Sequence, residues 1–368
     1  MGIVVSQSVL PHTQFIEMQS EARTRSTGRF KKGGVAMRTF LAIIGATLLT
    51  LGLATGPSDA AMKLKAGHIL PPTSDQGQAI EYFAKQIKEK TKGEIEIQVF
   101  HAGELGKSIP SQLENLVSGA QDLFIDTFDY FKAWDPRFGV VNTPFVFRDR
   151  DHFRKFLASD LFNDMVASLE KKGVVFLGKR NYNWLRVGER GLITRTPIMK
   201  PDDLKGYKLR MFQAEAPIKA WAAFGANIQV IPWPDVYTAL ATGTVDGLTG
   251  VLGTSYLVKH TEVAHYFTSV AEYYQIVAPI VSKRTWDKLT PEQRQIFEET
   301  AKEAGVKYLE FSAAETAIYD KKAQNDHGVT IIIPPIQPWL DVAKTVFAKF
   351  EAENILPKGL IGEVQAIK

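Results

Sequence analysis

Arg210 stands between two apolar residues, Leu209 and Met211. If the three belong to a strand, Leu209 and Met211 enter one core and Arg210 leaves from the opposite face. A guanidinium offers paired N–H donors in a fixed fork that matches a carboxylate in bidentate fashion. The chemistry on offer is anion capture, not bond making. For bond making the parts are missing: there is no Gly-rich phosphate loop, no G-x-S-x-G elbow, no H-E-x-x-H and no pair of histidines at metal spacing. Cysteine is absent, which removes disulfides, thiol nucleophiles, thiolate metal sites and cysteine-linked lipid. The sequence therefore predicts neither an enzyme nor a metal or other cofactor.

The elements that would carry these residues read as α/β. Lys63 to His68 predicts a strand, broken by Pro71-Pro72, and a helix follows from about Asp75 to Thr91. Residues 94–100 alternate, with Ile95, Ile97 and Val99 on one face. A helix over 108–118 and a strand over 123–126 complete a doubly wound unit. Phe-rich helices are expected over 149–172 and strands over 174–178, 184–187, 208–212 and 229–231. Helices follow at 216–224 and 234–242, and Val245-Asp246-Gly247 begins another strand. Thr290-Pro291-Glu292-Gln293 is a capping box that opens one long helix to about residue 325. A strand over 329–333 and a helix over 338–353 end the chain. Two α/β units without a flexible linker predict lobes that the chain crosses more than once.

The chain has 368 residues, 45% of them hydrophobic, with a formal net charge of +4. That length suffices for two cores, and so small a charge speaks against a nucleic-acid binder while leaving room for a local positive pocket. Met37-Arg38, an apolar run from Phe40 to Leu53, Gly56-Pro57 and Ser58-Asp59-Ala60 have the layout of a secretory signal with cleavage near Ala60. The run is shorter than the roughly 20 residues that span a bilayer. Residues 1–60 are set aside from the fold, with translation expected to start at Met37, and the mature chain is expected to be exported without inserting in a membrane.

Four stretches, 89–106 (EKTKGEIEIQVFHAGELG), 142–149 (NTPFVFRD), 202–212 (DDLKGYKLRMF) and 232–247 (PWPDVYTALATGTVDG), occur in order. Together they resemble the TRAP transporter solute-binding proteins of the dicarboxylate-binding type, over essentially the whole mature chain. The resemblance implies a two-lobed periplasmic clamshell with mixed sheets, the chain crossing between lobes and a long helix bracing both. Lobe I is expected over 61–185 plus about 272–312, and lobe II over 186–271 plus about 313–368 with the C-terminal helices. It implies a receptor that captures a small organic acid and delivers it to a small and a large membrane subunit for ion-gradient-driven import. A receptor of the ABC type shares the clamshell but not the 232–247 stretch.

The resemblance also implies site residues. Arg210 matches the carboxylate-binding arginine. A second arginine is either Arg190, by counting back, or Arg186, if residues 187–195 are an inserted turn, and the latter is favoured. Trp233 matches a stacking aromatic, with Tyr237 one turn on and Phe212 adding apolar surface. From the first lobe, Asp126, Thr127, Phe128 and Tyr130 match a ligand-facing loop, and His68 ends the first strand. Asp126 would accept a hydroxyl or an ammonium. Relatives that bind sialic acid or C4-dicarboxylates often carry Asn where this chain has Gly250. The missing side chain suggests room, and with the aromatic residues a bulkier or aromatic carboxylate.

Overall fold

A computed structural model describes residues 61–178 and 182–368. The expected signal segment, with its start at Met37 and its cleavage site, lies outside the described residues. Among the described residues the strands run in chain order as β1 (Met62–Gly67), β2 (Ile95–Phe100), β3 (Leu123–Thr127), β4 (Val174–Phe176), β5 (Arg190–Thr194), β6 (Lys208–Met211), β7 (Asn227–Val230), β8 (Gly247–Val251), β9 (Tyr266–Ser269), β10 (Val277–Ser282) and β11 (Thr330–Ile332). Interleaved are α1 (Asp75–Lys90), α2 (Ile109–Ser118), α3 (Arg150–Ala158), α4 (Asp160–Glu170), α5 (Glu215–Ala223), α6 (Val236–Ala241), α7 (Leu252–Leu257), α8 (Lys283–Trp286), α9 (Pro291–His327), α10 (Gln337–Ala352) and α11 (Leu360–Gln365).

The strands form two mixed sheets, β2-β1-β3-β10-β4 and β11-β9-β5-β8-β6-β7. In the first, β2, β1 and β3 are parallel and β10 runs antiparallel between β3 and β4. In the second, β5 is antiparallel to both β8 and β9, while β6 is parallel to β7 and β8. β10 belongs to the first sheet although five strands of the second precede it without a break. The chain therefore crosses from one lobe to the other and back, as the lack of a linker predicted. At the crossing Leu185 bridges Ile276, and the Arg186 backbone N–H donates to the Gln275 carbonyl at 2.9 Å.

Alternation on β5 and β6 decides what each face holds. Leu192, Leu209 and Met211 enter a large core shared with the first lobe, whereas Ile193 joins Leu248, Leu252 and Phe267 in a smaller one. The long helix α9 forms as its capping box predicts: Gln293 N–H donates to Thr290 Oγ1 at 3.2 Å, and Gly328 closes the other end at φ 64°. Its 37 residues extend about 55 Å. It packs on α1 beside the first sheet and on α7 beside the second. Of the C-terminal helices, α10 packs on α5, and α11 on the turn at Pro136–Val140.

Two sequence readings are corrected here. Residues 184–187 are not a strand: Tyr182–Trp184 is a short 3-10 turn, because the Trp184 ring stacks on Tyr308 and its Nε1 donates to the Ala301 carbonyl at 2.8 Å. Residues 187–195 are not an inserted turn: Arg190–Thr194 is β5, buried throughout in the middle of the second sheet. Its glycine disguised it, yet Gly191 is required there, since a Cβ would collide with the Thr268 carbonyl oxygen.

Candidate ligand-binding site

A cleft with about 530 Å³ of empty space, part of it open to solvent, lies where the two sheets face each other. Such a volume suits a small ligand. From the first lobe, β3 ends in Asp126 and Thr127, and the following turn contributes Tyr130. From the second, Arg190 opens β5, Arg210 and Phe212 lie at the end of β6, and Trp233 follows β7. Arg186 comes from the crossing segment. These eight sequence candidates meet in one place. Tyr130 and Phe212 pack their rings 5.5 Å apart, so the lobes touch across the cleft here.

The three arginines differ in what surrounds them. Arg186 clasps Asp75 with Nε to Oδ2 and Nη2 to Oδ1, both 3.2 Å. It also donates to Gln76 Oε1 at 2.7 Å, Gln275 Oε1 at 3.1 Å and the Tyr308 hydroxyl at 3.2 Å. Burial works against its charge, but Asp75 and its neighbours outweigh burial and hold the guanidinium well above its ordinary value. Arg190 donates from Nε to Glu272 Oε1 and from Nη2 to Thr249 Oγ1, both at 2.9 Å, and lies over the Tyr273 ring. The other oxygen of Glu272 accepts the Trp221 indole N–H at 2.9 Å. Burial pushes the Glu272 carboxyl up, but both its oxygens face obligate donors, which suits the carboxylate.

Arg210 is different. It is 3% exposed, its Nε donates to the Ile231 carbonyl at 2.8 Å, and its guanidinium lies 5.3 Å from the centre of the Trp233 ring. Among the described residues no carboxylate pairs with it. Burial, with the like charge of Arg190, brings it down to about 10, so it stays protonated at neutral pH. Behind Trp233 stands buried His260, its ring edge-on at 4.8 Å; burial and the nearby Arg210 charge take it down to about 3 and keep it neutral.

Four sequence candidates do not line the cleft. Phe128 turns into the first-lobe core, its ring 5.0 Å from both Phe131 and Phe176, because the 3-10 turn after β3 swings it inward. His68 is buried, bonded through Nε2 to His101 Nδ1 at 2.8 Å, and burial followed by His101 brings it down to about 3. Tyr237 lies on the exposed face of α6 and donates to Glu262 at 3.1 Å. Gly250 is off the lining and faces the smaller core, where a Cβ would stand 3.1 Å from Ile193 Cδ1 and 3.4 Å from Ser255 Oγ. Of the two grounds for a bulkier or aromatic ligand, space at Gly250 falls away, while Trp233, Tyr130 and Phe212 do line the cleft.

The sequence reading missed Gln76, Thr249, Thr254 and Gln275, all on the lining. Thr249 had a signal, since alternation along β8 puts 249 and 251 together and 250 opposite. Gln76 follows the Ser74 cap of α1, whose Oγ accepts the Gly77 N–H at 3.0 Å. Gln275 sits in a crossing segment with no motif. Among the described residues no group of His, Asp or Glu is arranged to hold a metal ion, and no helix is long and apolar enough to cross a membrane.

Comparison with known proteins gives a consistent result. Residues 66–354 match the family described as bacterial extracellular solute-binding protein, family 7. The 2,3-diketo-L-gulonate-binding periplasmic protein YiaO of Escherichia coli K12 is 31% identical over 246 residues, 67% of this chain and 74% of the relative. The C4-dicarboxylate-binding periplasmic protein DctP of Rhodobacter capsulatus is 27% identical over 290 residues, 78% of this chain and 85% of the relative. The crystal structure of a TRAP periplasmic solute-binding protein from Pseudomonas putida F1 with bound D-glucuronate superimposes with a TM-score of 0.76 at 26% identity, covering 83% of this chain and 98% of that one.

Proposed function

Since the chain belongs to the bacterial extracellular solute-binding proteins of family 7, we propose that it is the periplasmic receptor of a TRAP transporter, holding a small organic acid between its lobes on Arg210. It delivers the closed, loaded form to the small and large membrane subunits, which import the acid with an ion gradient. It is a receptor and not an enzyme, and residues 37–60 are its export signal. Lobe I is built on the first sheet and lobe II on the second, with α9 bracing both.

The observation that carries this reading is Arg210, a buried, protonated guanidinium in an interlobe cleft with no carboxylate partner among the described residues. A buried cation without a counterion is costly, and a ligand carboxylate removes that cost while taking the fork bidentately. Asp126, Thr127, Thr249 and Thr254 make the rest of the lining polar beside the Trp233, Tyr130 and Phe212 rings. That mixture suits a hydroxylated acid, the class named for two relatives, the diketogulonate-binding and glucuronate-bound proteins. The test is a thermal-shift screen of organic acids, with calorimetry, on the chain from Ala61. Sugar acids are expected to stabilise wild type and to fail with Arg210→Ala. Stabilisation by a neutral sugar with no response to any acid would sink the proposal.

A further inference from the structure

We infer that Glu315, buried behind the cleft wall, sets which way the Thr254 hydroxyl points its hydrogen, so that the cleft takes up a proton together with its acid. This rests on the reading of the cleft as an acid receptor and adds to it a link to pH. Thr254 lies in the first turn of α7 and lines the cleft. Its hydroxyl is 2.8 Å from Glu315 Oε1, while the other carboxyl oxygen, Oε2, accepts the Asp75 backbone N–H at 2.6 Å. A backbone N–H can only donate, so Oε2 must stay an acceptor. A proton on Glu315 therefore has one place, Oε1, where it points at Thr254 Oγ1.

The two protonation states present different groups to a ligand. With Glu315 ionised, Thr254 commits its single O–H to the carboxylate and offers the cleft only lone pairs. With Glu315 protonated, Thr254 accepts from Oε1, and its own O–H is released to donate to the ligand. An acceptor-only ligand oxygen, on a carboxylate or a carbonyl, favours the second state. The charges around Glu315 are Asp75 from α1 and Arg186 from the crossing segment, with Tyr308 on α9 itself. Tyr256 of α7 turns away to Asp326 at 2.6 Å, and His260 and Glu262, from the turn that also packs on α9, sit against Trp233 and Tyr237. Two carboxylates thus share one guanidinium. Asp75 already holds it through two hydrogen bonds, so the surplus negative charge falls on Glu315. Burial and then Asp75 push the Glu315 carboxyl up to about 7. Further along α9, burial raises Asp320 to about 6, which makes it the rival site for a proton. An anion arriving at Arg210 adds negative charge to the same cleft and moves the balance toward the protonated form.

The test is calorimetry of D-glucuronate, D-galacturonate and D-gluconate at about pH 7.5 in two buffers of different ionisation enthalpy, with the dissociation constant followed from about pH 6 to 8.5. These acids are ionised throughout, so a proton taken up belongs to the protein. Wild type is expected to take up protons as it binds, and to lose affinity by up to about tenfold per pH unit above 7. Glu315→Gln can keep the Asp75 N–H on its oxygen and donate from its amide to Thr254, as the protonated acid does. It is expected to take up no proton and to bind at high pH as tightly as wild type at low pH. Thr254→Ser and Asp320→Asn should keep the uptake, and Thr254→Val should abolish it. If wild type takes up no proton, or if uptake persists in Glu315→Gln, the inference is wrong while the receptor reading stands. Uptake that survives in Thr254→Val rules out the hydroxyl as the link, and uptake lost in Asp320→Asn places the proton there instead. If no acid binds at any pH, the receptor reading fails and this inference with it. Should Thr254→Val fold poorly, wild type against Glu315→Gln still decides whether Glu315 carries the proton.

Discussion

Arg186, Arg190 and Arg210 all line the cleft, but among the described residues only the last lacks a carboxylate partner, and the difference is set by neighbours no motif encodes. Truncating Arg210 to Ala is expected to weaken binding by about 2–5 kcal/mol, read by calorimetry. Arg210→Lys should recover only part of that, because an ammonium keeps the charge but not the planar fork. Gly191 makes a second demand at this scale. Gly191→Ala is expected to lower stability by about 2–4 kcal/mol, measured by denaturant unfolding, since its Cβ would meet backbone at Thr268 and not a movable side chain. In the sequence, alternation with Leu209 and Met211 said only which face of its strand Arg210 leaves from, and the resemblance supplied its role. Phe128, Tyr237 and Gly250 were misread for one reason. Proximity in sequence to a ligand-facing segment does not say which way a side chain turns, and a 3-10 turn, a helix face and a packed strand each turned one away.

Helices and strands decide how the cleft is joined to its frame. Glu315 projects from α9 between the lobes, accepting the Asp75 N–H at 2.6 Å from α1 and the Thr254 hydroxyl at 2.8 Å from α7. Burial and then the Asp75 carboxylate push it up to about 7 from an ordinary 4.5. The value is higher in the folded protein, so this group's contribution to stability is complete below about pH 4.5 and is lost as pH rises through 7. Glu315→Gln carries no such dependence. The melting temperature of the variant minus that of wild type is expected to increase from pH 4.5 to 8, and a difference that is flat across that range would contradict this. The elements that were legible announce themselves locally, through a capping box for α9 and period-two alternation for β2. Those missed, β5, β9, β10, α7 and the short helices α8 and α11, lack a local mark. β5 contains a glycine, and β10 is defined by partners more than 100 residues earlier in the chain.

At the scale of the molecule, the larger core runs without interruption from Phe124 in the first sheet through Phe145 to Trp221, Phe224 and Trp339 beside the second. The lobes share interior, and equilibrium unfolding followed by tryptophan fluorescence and by circular dichroism is expected to show one coincident transition. Two separate transitions would mean that the shared core does not couple them. A ligand present at 100 times its dissociation constant should add about 2.7 kcal/mol to that transition, and small-angle scattering should show the radius of gyration falling as the lobes close on it. The insertion of β10 between β3 and β4 has a consequence for time as well as for shape. The first sheet stays split, with β3 and β4 unjoined, until a segment synthesised after nearly all of the second sheet returns to fill the gap. A chain emerging from its N-terminus cannot finish the first lobe first. Its slow step is expected to be this long-range strand closure, and until then two open edges are available to any neighbouring chain.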